Sequence, residues 1–185
     1  GGRPVYGLIN EAMRRHVTDS VGPQAWTRIA ERADTTETFA GLHYYDDAVT
    51  YTLVAAASIE LDTPAEDLLR GFGRYWSNHV GPESYGEILG ATGTDVVGVL
   101  ANLDAMHARI QTLYPDLRPP SFSVRDHADG VIEVDYRSDR AGLAPFVVGL
   151  LEGLGELYGT PATVVQVGST SAGADRDTFL VRLSG

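Results

Sequence analysis

Four side chains have the type and spacing to do chemistry together. The first is His107, in "VVGVLANLDAMHARIQTLY". Val96, Leu100, Leu103, His107, Ile110 and Tyr114 recur in steps of three and four, so they share one helical face. The imidazole therefore points inward among apolar neighbours, with Met106 beside it. Burial favours neutral imidazole, the form that ligates metal; a core histidine bonded to a carbonyl fits the same pattern. The other three lie in "VIEVDYRSDR", residues 131–140. The segment alternates like a strand, with Ile132, Val134, Tyr136, Ser138 and Arg140 on one face. Glu133, Asp135, Arg137 and Asp139 take the other. An arginine turned toward the buried side needs an anion.

Two anions answer that need equally well. One is a set of acids from the protein itself, bonded to a Tyr/Ser/Arg strand at a sheet edge. The other is a bound carboxylate group, and haem carries two as propionates. Spacing of i, i+2 and i+4 spreads the three donors over roughly 13 Å, at about 3.3 Å per residue. Arg binds a carboxylate bidentately, and the two hydroxyls serve the remaining acceptor sites. A buried imidazole and large apolar side chains complete what haem requires.

Other chemistries find little to stand on. The 185 residues carry 14 basic and 25 acidic side chains, a net charge of −11, and no basic stripe to meet a nucleic-acid backbone. With no cysteine, disulfides, Cys zinc sites, iron–sulfur clusters and thiolate-bound haem are excluded together. There is no HExxH, P-loop, Rossmann fingerprint or nucleophile elbow. His16, His43, His79 and His127 fall in polar helix faces, loops or a helix end. No apolar run approaches the roughly 18 residues of a membrane span.

The elements that position these residues read as α+β. Helical periodicity covers 5–19, a short stretch from Pro23 bearing Trp26, Ile29 and Ala30, the apolar "DDAVTYTLVAAASIEL", and "TPAEDLLRGFGRYWSNHV". In the last, Thr63, Pro64 and Glu66 form a capping-box pattern. A loop is expected near 34–46, a short helix over 82–90 and a long one over 94–114, stopped by Pro115. After "RPPS" the texture changes. "SFSVRDHADGVIEVDYRSD" and "ATVVQVGSTSAGADRDTFLVRLSG" read as two hairpins flanking an apolar helix, "LAPFVVGLLEGLGELYG". The expected organisation is one domain over 5–185, helical to about residue 65 and sheet-containing from about 66. "GGRP" at 1–4 reads as a cloning remnant.

The segments "YGLINEAM", "TYTLVAAAS", "LDAMHARI", "YPDLRPPSF" and "DYRSDRAGL", in this order, resemble the haem nitric oxide/oxygen binding (H-NOX) family, and in particular the haem domain of the soluble guanylate cyclase β subunit. The specific signal is Y-x-S-x-R combined with an upstream L-D-x-x-H helix. The resemblance implies an α+β fold with a helical N-terminal part and a C-terminal antiparallel sheet. It implies haem b in the ferrous state with His107 as proximal iron ligand and Met106 beside it. Tyr136, Ser138 and Arg140 would hold the propionates, and Pro120 would press on and distort the porphyrin. The distal pocket would include Ile9, Met13, Trp76, Phe146 and Leu150. Oxygen-binding members have a donor tyrosine where this chain aligns Phe146. The implied function is therefore a non-catalytic cytoplasmic sensor of NO and CO that discriminates against O2. It would signal to a fused output domain or a protein partner through release of His107 and relaxation of the haem. A haem-free regulatory module on the same fold is the alternative, and a haem peroxidase is disfavoured for want of a distal acid/base pair.

Overall fold

The computed structural model describes residues 4–40, 43–126 and 128–185. Compact packing divides the chain into two units, Gly1–Phe72 and Gly73–Gly185. The sequence placed the boundary between its helical and sheet-containing parts at about residues 65–66. The first three residues of "GGRP" and His127 lie outside the described residues.

The N-terminal unit is built on helices α1 (Gly7–Val21), α2 (Pro23–Arg32) and α3 (Asp47–Glu60), with the start of α4 (Ala65–Tyr75). Pro23 opens α2, where its missing N–H is no loss. Ala25, Trp26, Ile29 and Ala30 form its buried stripe, and the Trp26 indole N–H donates to the Glu37 carbonyl at 2.8 Å. The expected loop over 34–46 ends in a strand: β1 (Pro4–Tyr6) pairs antiparallel with β2 (Tyr44–Asp46). Three-residue strands carry too little periodicity to be read from sequence. Asp46 then caps α3, accepting the Ala48 N–H at 3.0 Å. The apolar stretch of α3 is buried on one face only, by Leu53, Val54, Ala56 and Ala57, while Tyr51 and Ile59 stay exposed. The capping box at Thr63 does not form. Its hydroxyl donates to the Leu61 carbonyl at 2.9 Å, and the first helical carbonyl is that of Pro64, one residue later.

The C-terminal unit begins in the last turn of α4. A π-helical turn follows over Trp76–Val80, then α5 (Gly81–Thr92), kinked at Tyr85, and α6 (Val96–Leu113). Four strands and one helix complete it: β3 (Ser121–Asp126), β4 (Val131–Arg137), α7 (Ala144–Leu157), β5 (Ala162–Gly168) and β6 (Asp177–Leu183). The sheet runs β3-β4-β6-β5, all antiparallel. The β3–β4 turn takes left-handed backbone at Asp129 and Gly130, as its Asp/Gly composition requires. One core joins the inner face of the sheet (Phe122, Ile132, Val134, Tyr136, Phe179, Val181) to Val96 and Leu100 of α6 and Val147, Leu151 and Leu154 of α7. This is the helix-and-sheet layering the hairpins and apolar helices call for.

Candidate functional site

His107 sits in the C-terminal half of α6, an 18-residue helix capped by Asp95, whose carboxylate accepts the Gly98 N–H at 2.7 Å. The expected face is the observed one: Val96 and Leu100 are buried, and Leu103, His107, Ile110 and Tyr114 are half-buried. Met106 is buried. The His107 Nδ1 atom is buried and forms no well-aligned hydrogen bond. Burial pulls the imidazole pKa below its usual value, against the Pro120 carbonyl and the Asp104 charge, which both raise it. The ring is thus neutral near pH 7 and retains lone-pair capacity, which is what a metal ligand needs. Pro120 itself is half-buried and immediately precedes β3.

The Tyr/Ser/Arg set differs from its sequence reading. β4 ends at Arg137, so only Tyr136 is a strand residue, buried and packed on Phe122 with ring centroids 5.2 Å apart. Ser138 and Arg140 lie in the turn that follows, both half-buried. The cause is local: the Ser138 hydroxyl accepts the Arg140 N–H at 3.1 Å, which turns the chain out of the extended conformation. All three residues nonetheless border one open cavity of about 200 Å³, with Arg137, Asp139, Thr170 and Asp177 also on its wall. Arg137 is exposed and faces Asp175 at 3.5 Å.

Of the expected distal residues, Trp76, Phe146 and Leu150 belong to this unit and are half-buried. Ile9 and Met13 lie on α1 of the N-terminal unit, half-buried and buried. Trp76 opens the π-helical turn, and its ring stacks on Tyr85 at 6.3 Å and 18°. Burial raises the Tyr85 phenol pKa, with the nearby Tyr114 adding to it. Phe146 and Leu150 are held by contacts that the sequence reading missed. Gly73 lies against the Phe146 carbonyl so closely that a Cβ there would meet it at 2.1 Å. Gly153 abuts Arg74 and Ser77 in the same way, and the Ser77 hydroxyl donates to the Leu150 carbonyl at 2.9 Å. The glycines of "GFGRYW" and "GLLEGLGELYG" were the available signal: glycine inside two facing helices marks close backbone approach. Of the remaining histidines, His79 packs on Tyr75 (4.4 Å) within the π-helical turn, His16 meets the edge of Phe72 (5.5 Å), and His43 is exposed.

The residues present fit a haem by their chemistry: His107, with a buried and unpartnered Nδ1, is a ligand type for its iron, and Tyr136, Ser138 and Arg140 are donor types for its two carboxylates; these three border a cavity that His107 does not line and whose wall also carries Asp139, Asp175 and Asp177.

Comparison with known proteins agrees. A family model described as haem-NO-binding (HNOB) matches residues 6–166. The chain is similar to soluble guanylate cyclase gcy-35 of Caenorhabditis elegans, 31% identical over 152 residues, covering 80% of this chain and 22% of that protein. It is also similar to the guanylate cyclase soluble subunit beta-2 of Rattus norvegicus, 34% identical over 87 residues, or 47% of this chain and 13% of the relative. The chain spans about a quarter of the length of the first curated relatives it matches, 23% and 25%. Among solved structures it resembles an H-NOX protein from S. oneidensis in the Fe(II)NO ligation state, with a TM-score of 0.85, 18% identity, and coverage of 98% of this chain and 100% of that one. It also resembles the Fe(II) unliganded H-NOX protein from K. algicida, with a TM-score of 0.80, 20% identity, and coverage of 98% and 97%. At such identities the likeness shows the fold. No described helix is long and apolar enough to cross a membrane. With the family model covering most of the sequence and the fold shared, the chain belongs to the H-NOX family of haem-binding gas sensors, whose domain is regulatory rather than itself catalytic.

Proposed function

We propose that this chain is an NO sensor that also binds CO, discriminates against O2, and holds haem b through His107. The observation that carries the reading is the half-buried imidazole of His107 on α6, held neutral by its burial, whose buried Nδ1 atom has no hydrogen-bond partner. Ferrous haem supplies the centre that binds the gas. With no cysteine in the chain there is no thioether attachment, which supports haem b. Tyr136, Ser138 and Arg140 supply two hydroxyls and a guanidinium for the propionates. Pro120 and Met106 bring apolar bulk beside His107. Phe146 would face the gas and offers no hydrogen-bond donor, so it could give O2 none of the stabilisation that a donor would supply, whereas NO and CO would need none. α6, which carries His107, is tied to β3 through Asp104, so a gas that loosened the hold on His107 would be able to shift the chain between two conformations. A fused output domain or a protein partner reads the shift; the relatives named as guanylate cyclases support a cyclase among such partners and a cytoplasmic setting.

The test is an anaerobic absorption spectrum of the reduced protein before and after NO, together with His107→Gly. The wild type should show a His-ligated ferrous spectrum that persists in air and changes with NO. The variant should lose that ligation and recover it with added imidazole. A stable oxy spectrum sinks the O2 discrimination; an unchanged Soret band in His107→Gly sinks the ligand assignment.

A further inference from the structure

Residues 169–176 join β5 to β6 and, through Thr170 and Asp175, supply one wall of the cavity bordered by Tyr136, Ser138 and Arg140. Two carboxylates pin this segment, one at each end. At its start the pin is Asp177, the first residue of β6, which is 7% exposed and also on the cavity wall. Its Oδ1 accepts the Thr170 N–H at 2.9 Å, the Thr170 hydroxyl at 3.2 Å and the Gln166 side-chain amide at 3.3 Å. At the other end Arg176 pairs through Nε with Asp135 at 3.1 Å, a buried carboxylate that also accepts the Thr178 hydroxyl at 2.9 Å. Asp177 stands opposite Tyr136 in the β4–β6 ladder and Asp135 opposite Thr178, so the two pins lie on opposite faces of the sheet. Between them residues 171–175 are all exposed, Gly173 takes left-handed backbone, and Asp175 meets exposed Arg137 at 3.5 Å. The segment is fastened at its ends and has no buried side chain in its middle.

We propose that residues 169–176 are a gate on the edge where haem enters and leaves, and that Asp177 is its latch. This rests on the reading of Tyr136, Ser138 and Arg140 as the propionate donors. A carboxylate shielded from water bonds strongly to the donors it holds, and losing them leaves its charge unmatched. The latch therefore keeps the Thr170 wall in place, and a propionate passes when the latch opens. Such an opening moves one segment and leaves the sheet folded, with the Arg176–Asp135 pin as its hinge. The consequence is kinetic. A contact that only binds haem slows its loss and leaves uptake alone. A gate slows both, because the same opening precedes entry and exit. Weakening the latch should therefore speed uptake and loss by the same factor and leave haem affinity as it was.

Four variants test the latch. Asp177→Ala removes all three bonds, whereas Asp177→Asn keeps them, because its side-chain carbonyl accepts from the same donors. Thr170→Ala, at an exposed residue, removes only the hydroxyl bond and carries the test if Asp177→Ala does not fold. Arg137→Ala breaks only the exposed contact with Asp175. Three rates are read: exchange of the Thr170 amide in haem-free protein, haem uptake by that protein, and haem loss to a scavenging apoprotein. Asp177→Ala should raise all three about tenfold and Thr170→Ala about threefold, with haem affinity within about twofold of wild type. Asp177→Asn and Arg137→Ala should keep every rate within about twofold. The proposal is overturned if Thr170 exchange quickens while uptake and loss stay unchanged, for then the bonds serve the fold alone. It is overturned if loss quickens without uptake, for then the segment is a contact and not a gate. It fails equally if Thr170 exchange does not respond, or if Asn behaves as Ala. A wild-type chain that takes up no haem overturns the propionate reading, and the gate with it, before any variant is made.

Discussion

Gly73→Ala puts the smallest possible load on the contact that sets Phe146. Its new Cβ would lie 2.1 Å from the Phe146 carbonyl oxygen and 2.8 Å from the Leu150 nitrogen. Real Cβ atoms do not come within 3.0 Å of such neighbours, so α4 and α7 must separate by close to 1 Å. Neither obstacle is a side chain that could swing aside; both are backbone in α7. Overpacking of this kind costs roughly 1–3 kcal/mol, and backbone against backbone belongs at the upper end. Alanine recovers about 1 kcal/mol of helix propensity. The net loss is about 2 kcal/mol, which for a chain of this length lowers Tm by about 4–8 °C. The Ser77–Leu150 bond should lengthen with it. Gly90→Ala is the control: Gly90 lies within α5 with nothing within 4 Å of its would-be Cβ, so that variant should gain about 1–4 °C from propensity alone. Thermal unfolding followed by circular dichroism decides between them. A Gly73→Ala protein that melts at or above wild type would refute the close approach and, with it, the account of what holds Phe146 and Leu150 in place.

Arg140→Ala should speed haem loss to an acceptor about 10–100-fold, the worth of a charge-assisted bond, whereas exposed Arg137→Ala should change it less than about twofold; equal effects would remove the distinction between the two arginines. Phe146→Tyr adds a phenol donor, and a measurable oxy spectrum in air is expected where the parent shows none; its absence would place the residue away from the ligand. Glu156 is partly exposed, and although burial raises its pKa, the bonds from Arg74 and Asn78 outweigh that and leave it lowered. Its stabilising share is therefore complete above the unfolded carboxylate pKa of about 4.3 and is lost as pH falls through the lower folded value. Glu156→Gln should cost less than about 1 kcal/mol at pH 7 and nothing at acid pH, read from urea midpoints at both; a cost that persists in acid would contradict the ion pair.

Much of this molecule was legible because periodicity is a one-dimensional record of burial. The α6 face carrying His107, both hairpins and the apolar α7 followed from steps of three, four and two. Tyr136 was placed correctly on the inner face of its strand. The N-terminal β1–β2 pair escaped because three residues hold no period, and Thr63 misled because its hydroxyl had a carbonyl of its own to satisfy. Ser138 and Arg140 were assigned to a strand that stops before them; alternation continued in the letters after the Ser138 turn had ended it in the backbone.

The sequence by itself determined the chemistry on offer: one inward imidazole, a phenol, a hydroxyl and a guanidinium within five residues, no thiol, and a phenylalanine where the family resemblance aligns a donor tyrosine. Each of those is a property of residue type, or of neighbours a few positions apart. Only the tertiary structure decided how they are held. Asp104 meets Ser121 and Phe122 across 17 and 18 residues of chain, and Ser77 meets Leu150 across 73. Contacts at that separation depend on which helix face meets which strand, and no local pattern encodes them. The residues that would bind haem could be read from the chain, but what aims them had to be seen folded.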